Sequence, residues 1–387
     1  MPRRATRFQV LFSWMVLVWL WLSTGCSAPA PTPTAQPLAT RTPKPTFTPV
    51  PTHTLFPTAT PVPPATETPT PSSPPATPTL QPSATSDPFL SPLTGMRVED
   101  PGRLRRRVLA VRVGNDPIIR PQEGLGQADI VYEEIMEGYF VTRFTALYLE
   151  HEAQRIRPIR SARLVNLAIV PQYDAALVHS GASDKIRWLI SQANFVDLDE
   201  FYHPEPYSSL AGYDWRGRLY TSTEALRTYL RRQGLEREEP IAGYAFSSAP
   251  TTGTPAISLR IPYREVVEWT YNPSTGLYTR KIAGQVHTDG LTGEPLTASN
   301  VIIFYAEHKK TDIVEDSLGN TAIDIVMSGE GRAQVCRDGV ILEARWKPSG
   351  ENGLIQYFDQ NGQIIPLRPG KTWIQLVPTD YAVVHSP

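Results

Sequence analysis

The sequence predicts an α+β protein in which an α/β segment with a mixed sheet is followed by a mostly antiparallel β segment. Before residue 248, short apolar runs rich in β-branched residues alternate with stretches of helical periodicity. After residue 256, short β-rich runs are separated by turn sequences such as Asp338-Gly339 and Asn361-Gly362, which favour hairpins. A disordered Pro/Thr-rich tether is expected before both segments, because its residues cannot form a core.

The amino-terminal residues have the pattern of a secretion signal that ends in a lipidated cysteine. Three arginines precede an apolar stretch of about 15 residues, which is too short for a membrane-spanning helix. The stretch runs into Leu22-Ser23-Thr24-Gly25-Cys26. We therefore expect residues 1–25 to be removed as a signal peptide and Cys26 to carry the acyl chains of a membrane anchor. A plain signal peptide and an uncleaved anchor are the alternatives.

Residues 26–90 form the expected tether, in which Pro, Thr, Ala and Ser dominate. Such a composition buries too little apolar surface to offset the entropy of ordering, so the segment is expected to be extended and disordered. From the signal and the tether we expect the protein to lie on the extracytoplasmic face of the cell membrane, held there by a lipid anchor. The membrane is then one partner, and a cell-wall component or another protein is a second.

Charge and cysteine content narrow the classes of function. The chain carries 37 basic and 38 acidic residues, interspersed in the folded part, which argues against a nucleic-acid partner. With Cys26 lipidated, Cys336 stands alone and no intramolecular disulfide can form. Neither a His-Glu-x-x-His motif nor a calcium-loop pattern occurs, so no metal and no cofactor are expected.

The first segment, residues 91–248, has the alternation of strands and helices that is typical of α/β structure. Strands are expected at 108–113, 130–132, 142–148 and 175–178. Helices are expected after Ser161, after Ser183 or Asp184 and from Thr221 to Gln233, with Gly234 as the stop.

The second segment, residues 256–385, lacks helical periodicity and is expected to form about eight strands in a curled sheet or small barrel. Its hairpin signals lie between Val335-Cys336 and Val340 to Leu342, and between Tyr357-Phe358 and Gln363 to Ile365. Four tryptophans are expected in the core rather than on a sugar-binding surface: Trp215, Trp269, Trp346 and Trp373.

The chain resembles the YerB-like family of bacterial lipoproteins, because many short motifs occur in the same order as in that family. The motifs are Ser91 to Gly95, Arg120 to Glu133, Thr142 to Phe144, Pro158 to Arg163, Tyr173-Asp174 with His179, Val286 to Asp289, Leu296 to Val301, Trp346-Lys347, Tyr357 to Asp359 and Pro369 to Gln375. The resemblance implies paired amino- and carboxyl-terminal domains of unknown function, and no settled active site. The chain departs from the commoner pattern at Gly114-Asn115, where Asp-Asn is expected.

The arginines of the first segment are the candidate anion-binding site. Arg120, Arg143, Arg160 and Arg163 lie near expected strand ends, where open α/β sheets bind ligands. Arginine beside the amino terminus of a helix suits phosphate or carboxylate. The alternative is a structural role, in which these arginines pair with Glu133, Glu134 and Glu137.

A candidate polar site consists of Glu133, His179 and Ser180. The sequence His179-Ser180-Gly181 with Asp184 is weak evidence for a nucleophilic hydrolase, because no Gly-x-Ser-x-Gly elbow surrounds Ser180. A histidine that simply hydrogen-bonds at a strand end is the alternative.

Two functions remain open on the sequence alone, and with them the question whether the protein is an enzyme. The first is a binding or scaffold lipoprotein of the cell envelope. The second is an envelope enzyme that acts on a phosphate-bearing or lipid-linked glycan through the arginine-rich site.

The lipid anchor is tested by the substitution Cys26→Ser. We expect the variant to lose radiolabelled palmitate and to move from the membrane fraction to the soluble fraction, since no other cysteine follows a signal sequence. Equal labelling of the variant and the wild type would contradict the lipoprotein assignment.

Overall fold

The computed structural model describes residues 87–387. The expected signal peptide, Cys26 and nearly all of the tether lie outside the described residues. Within 87–387, none of the helices combines the length and the apolar character needed to cross a bilayer.

The first segment contains seven strands and three α-helices in the described residues. The strands are β1 (Leu109–Gly114), β2 (Ile130–Ile135), β3 (Thr142–Tyr148), β4 (Ala176–His179), β5 (Val196–Asp199), β6 (Ser208–Ser209) and β7 (Leu219–Tyr220). The helices are α1 (Asn166–Ile169), α2 (Asp184–Gln192) and α3 (Thr223–Arg232).

The helices follow the local signals in the sequence, with one exception. Ser222 and Thr223 are both candidate caps for the predicted third helix, and the Ser222 hydroxyl caps α3 by accepting from the Ala225 N–H. The helix expected after Ser161 is shorter than predicted, because α1 has only four residues and passes into a 3-10 turn that contains Pro171. Asp174 then takes a left-handed conformation with φ of 43°, which ends the turn.

The second segment is built from strands throughout. They are β8 (Thr254–Pro255), β9 (Ser258–Ile261), β10 (Val267–Asn272), β11 (Leu277–Ile282), β12 (Gln285–Val286), β13 (Thr297–Ala298), β14 (Asn300–Ala306), β15 (His308–Val314), β16 (Thr321–Ile325), β17 (Gly331–Arg337), β18 (Val340–Pro348), β19 (Ile355–Phe358), β20 (Thr372–Pro378) and β21 (Val384–Ser386). The hairpin expected at Asp338-Gly339 is present as β17 and β18.

Strands from both segments form one large mixed sheet, in the order β19-β18-β17-β14-β20-β2-β3-β1-β4-β5. Its centre is β20, which runs parallel to β14 on one side and to β2 on the other. The fold class expected from the sequence is therefore confirmed. The boundary between two domains at residues 248–256 stays a prediction. The strands on either side of this boundary belong to the same sheet.

A second sheet, in the order β12-β11-β10-β9-β21, lies entirely in the second segment. Trp269 from β10 packs against Trp373 from β20 with ring centroids 5.3 Å apart. Trp373 in turn lies 5.4 Å from Phe144 of β3, so aromatic packing links the two sheets.

Three of the four tryptophans expected in the core are buried, namely Trp269, Trp346 and Trp373. The expectation for Trp215 is wrong, because 67% of its surface is exposed. Trp215 lies in the loop between β6 and β7, and its ring lies beside the guanidinium groups of Arg160 and Arg216 rather than in the core.

The aromatic contact between the sheets is tested by Trp373→Ala. We expect the free energy of unfolding to fall by about 3–5 kcal/mol, since the substitution leaves a cavity between fully buried rings. The matched control is Trp188→Ala, which removes a ring that is 53% exposed and should cost less than about 0.5 kcal/mol. Equal effects of the two substitutions in urea titrations would contradict the packing described.

Candidate functional site

Arg120 is held by a carboxylate of the second segment. Its Nη1 and Nη2 atoms lie 3.1 Å and 2.6 Å from the two carboxylate oxygens of Glu265. The remaining donors reach the side-chain and backbone oxygens of Asn115. Arg120 therefore joins the segments, and its positive charge is neutralised.

Arg163 is also paired. Its Nε donates to Glu137 Oε2 at 2.8 Å, Nη2 contacts the other oxygen, and Glu315 Oε2 lies 3.5 Å from Nε. Burial raises the pKa of Glu137, but the hydrogen bonds and charge of Arg163 outweigh it and bring the pKa to about 2.

Arg160 and Arg143 lie beside Arg163 and are less fully neutralised. Arg160 is 3.8 Å from Asp116, and its Nε has no hydrogen-bond partner in residues 87–387. Arg143 donates to the carbonyl oxygen of Ser161 at 3.0 Å, and no ion pair within 4.0 Å involves it in the described part of the chain. Burial and the charges of Arg163 and Arg160 lower the pKa of Arg143 to about 9.

The structure also accounts for Gly114, which departs from the commoner family pattern. A Cβ atom at this position would lie 2.7 Å from Cγ of Arg160 and 2.8 Å from Cδ1 of Ile119. A side chain at position 114 would therefore have to displace Arg160 and Ile119, and glycine allows both side chains to approach the backbone closely.

The three members of the candidate polar site have separate partners. The Glu133 carboxylate accepts two hydrogen bonds of 2.8 Å from Arg280 and one of 2.7 Å from Thr142, and it is fully buried. His179 Nε2 lies 2.7 Å from Asp197, while the Ser180 hydroxyl donates to the carbonyl of Ile159 at 3.4 Å. No hydrogen bond joins the side chains of His179 and Ser180 within 87–387, so the geometry gives no support to a nucleophilic pair.

A second group of polar residues lies at the opposite ends of the strands. Ile130, the first residue of β2, pairs with Thr372, the first residue of β20. Parallel strands that start together place the preceding residues, Asp129 and Lys371, at one edge of the sheet. The antiparallel β3 ends at the same edge, which brings Glu150 and His151 to it.

Hydrogen bonds hold two carboxylates and one imidazole in place at this edge. Asp129 Oδ2 accepts from the backbone N–H groups of Leu149 and Glu150 at 2.5 Å and 3.1 Å, and Oδ1 lies 2.5 Å from His151 Nδ1. Glu150 Oε1 accepts from the Thr94 hydroxyl at 2.6 Å. Burial and the charge of Asp129 raise the pKa of Glu150, and the hydrogen bond to Asp129 raises the pKa of His151.

Lys371 completes the group and lines a cavity of about 310 Å³ together with His151, Thr94 and Ser299. Its ammonium donates to the carbonyl oxygens of Leu125 and Gly126 at 3.1 Å and 2.5 Å. Burial lowers the pKa of Lys371 to about 8, although Asp129 and Asp289 raise it.

Sequence reasoning missed this cavity, although a signal was present. Asp129 and Lys371 both lie inside motifs that resemble the YerB-like family. The missing information was the pairing of β2 with β20, which no local pattern encodes.

Two family models match the chain. The model described as the N-terminal domain of a protein of unknown function (DUF3048) matches residues 93–236. The model of the C-terminal domain of DUF3048 matches residues 257–374.

A curated protein of Bacillus subtilis (strain 168), named "Putative lipoprotein YerB", is 30% identical over an alignment of 312 residues, and the match covers 76% of this chain and 88% of that protein. The crystal structure of YerB protein from Bacillus subtilis matches with a TM-score of 0.67 and 28% identity, and covers 76% of this chain and 99% of the other.

The structural role of Arg163 is tested by Arg163→Ala. At pH 7 we expect the variant to lose about 3 kcal/mol of unfolding free energy, because Glu137 is left without its partner. The lowered pKa of Glu137 means that this contribution is present above pH about 4.5 and is lost as the pH falls towards 2.

The difference between wild type and Arg163→Ala should therefore shrink in acid, as urea titrations at pH 7 and pH 3 would measure. Arg160→Ala is the matched control and should cost less than Arg163→Ala, since its nearest carboxylate, Asp116, is 3.8 Å away and is not at hydrogen-bond distance. A difference that does not depend on pH would contradict the assignment to Glu137.

Proposed function

The chain belongs to the DUF3048 family, and from that premise we propose that it is a lipid-anchored binding protein of the cell envelope. Its ligand is an anionic polymer that contains sugar rings. The binding region is the surface formed by Tyr213, Trp215, Arg160 and Arg216, which we name the Trp215 surface.

The anchoring part of the proposal rests on the amino-terminal sequence and on the family. The signal pattern before Cys26 predicts lipidation and export. The Bacillus subtilis relative bears a lipoprotein name, which supports the same assignment for this chain. The tether would then hold residues 87–387 at a distance from the membrane, where an envelope polymer can reach them.

One observation carries the choice of ligand, namely that Trp215 is 67% exposed between two arginines. The guanidinium carbons of Arg160 and Arg216 each lie 5.7 Å from the Trp215 ring centre. An exposed ring offers a face for a sugar, and Arg160, which has no carboxylate at hydrogen-bond distance, can attract phosphate or carboxylate. Arg216 already donates two hydrogen bonds of 2.8 Å and 3.1 Å to Asp214.

Neighbouring groups support the same ligand class. Tyr213 is 52% exposed, and Arg157 lies 4.5 Å from its ring centre. Arg160 has a buried Nε without a hydrogen-bond partner in the described residues, and the nearby Arg143 has no ion pair there. Both donors are buried, so their contribution is positive charge that no carboxylate neutralises at hydrogen-bond distance, and this charge favours an anion at the surface above them.

The alternative function is an enzyme that acts on a phosphate-bearing or lipid-linked glycan at this surface. One observation favours it, since Asp116 Oδ2 is buried without a hydrogen-bond partner in residues 87–387 and lies 3.8 Å from Arg160. A carboxylate in that position is a candidate general base. Release of phosphate or transfer of glycan from a lipid-linked substrate, abolished by Asp116→Asn, is the observation that would favour the enzyme.

The binding function is tested by co-sedimentation of the full-length protein with purified cell wall that carries a phosphodiester-linked glycan. We expect Trp215→Ala to weaken retention at least about tenfold, as removal of a central aromatic contact does at binding sites. Trp188→Ala removes another exposed ring, which lies beside Lys185, and should leave retention unchanged.

Cell wall from which the phosphodiester-linked polymer has been extracted with acid should retain less wild-type protein. Equal retention of both variants, or equal retention on extracted wall, would contradict the proposal.

A further inference from the structure

We propose that Asp129, Glu150 and His151 bind a divalent transition-metal cation at the edge of the large sheet. This inference is independent of the Trp215 surface. It also goes against the expectation of no metal, which did not consider Asp129, Glu150 and His151 as ligands.

The ligand atoms are already close to the arrangement that a cation requires. One ligand atom from each of Asp129, Glu150 and His151 lies within 4.8 Å of the other two. Atoms bound to one zinc ion are about 3–3.5 Å apart, given bonds of about 2.0–2.2 Å. His151 Nδ1 lies 2.5 Å from Asp129 Oδ1 and 3.5 Å from Glu150 Oε1, so only small movements are needed.

The backbone holds the central ligand in place. Asp129 is fully buried, and its Oδ2 accepts from the N–H groups of Leu149 and Glu150. Such outer contacts orient a ligating carboxylate and are typical of metal sites. Oδ1 remains directed to His151, and a cation there would take the place of the proton that the two groups share.

Glu150 provides the second, independent observation. This residue is 4% exposed, and its Oε2 atom has no hydrogen-bond partner at standard geometry in the described residues. Burial raises the pKa of the Glu150 carboxyl, although the nearby Ser91 hydroxyl lowers it in part. A carboxylate oxygen that is buried without a donor is costly, and a cation is a group that would satisfy it.

The surrounding charges favour a cation in spite of one nearby lysine. Lys371 donates to the Gly126 carbonyl, while Asp289 accepts from the Gly126 N–H at 2.8 Å. Asp129, Glu150 and Asp289 thus place three carboxylates around one ammonium, which leaves the region negative.

The site would be open to the cavity of about 310 Å³, because His151 and Lys371 both line it. Three protein ligands leave at least one coordination position free, as in sites that bind a water or a ligand on the metal. An imidazole together with two carboxylates suits zinc or manganese better than calcium, which prefers oxygen ligands alone.

The test is calorimetric titration of Zn²⁺ into the metal-free, full-length protein in detergent. We expect one strong site in the wild type and at least about tenfold weaker binding in His151→Gln, since that side chain is 54% exposed and its loss should not prevent folding. His385→Gln is the matched control, because His385 is exposed and lies outside the cluster. The affinity of this variant for Zn²⁺ should equal that of the wild type.

A second variant, Glu150→Gln, keeps the shape of a buried ligand and removes its charge. We expect it to weaken Zn²⁺ binding, with a melting curve recorded without metal to establish that it folds. When Co²⁺ replaces Zn²⁺, the wild type should show the visible absorption of a Co²⁺ ion coordinated by nitrogen. His151→Gln should lose this absorption. Absence of Zn²⁺ binding in the wild type, or equal affinity in His151→Gln and the wild type, would overturn the proposal.

Discussion

The parallel pairing of β2 with β20 is the constraint on which the rest of the structure depends. It joins the two segments in one sheet and places the Glu133 carboxylate of β2 beside the indole N–H of Trp373 in β20, at 3.2 Å. Arg280 from the second sheet supplies the charge that makes burial of Glu133 tolerable, because an isolated buried carboxylate would cost several kcal/mol. The same pairing places Lys371 beside Asp129, whereas the pairing of β2 with β3 brings Asp129 to the other two candidate metal ligands, Glu150 and His151.

The arginines of the first segment divide between structure and function in a way that the sequence alone left open. Arg163 and Arg120 have carboxylate partners at hydrogen-bond distance, and Arg120 uses its partner to join the two segments. Arg160 has no carboxylate at hydrogen-bond distance and lies 5.7 Å from the ring centre of the exposed Trp215, while Arg143 is buried without an ion pair in the described residues. The cluster, which looks uniform in sequence, therefore contains arginines that pair with a carboxylate and arginines that do not. Only the neighbouring residues in the folded structure distinguish the two kinds.

Local patterns predicted much of the fold. The cap at Ser222, the strand from Thr142 to Tyr148 and the turn at Asp338-Gly339 were each readable because their physical causes lie within a few residues. The exposure of Trp215 and the meeting of Asp129 with His151 and Lys371 were not readable. The meeting of Asp129 with Lys371 depends on which strands pair over long distances in the chain, and alternation of apolar residues does not specify a partner. Trp215 lies in the loop between β6 and β7, where no local pattern indicates whether other residues cover the ring.

The central position of β20 has a consequence for how the chain acquires its structure. In sequence, 240 positions separate Glu133 from Trp373, yet the two side chains share a hydrogen bond in the core. A chain that emerges amino terminus first, from a ribosome or across a membrane, has to carry β2 with one side unpaired until β20 arrives. Contacts of such long range form slowly, and an open strand edge invites wrong pairing. Folding of this protein should accordingly depend on chaperones that cover unpaired strand edges. Folding should also be sensitive to any delay in completing synthesis or export of the chain.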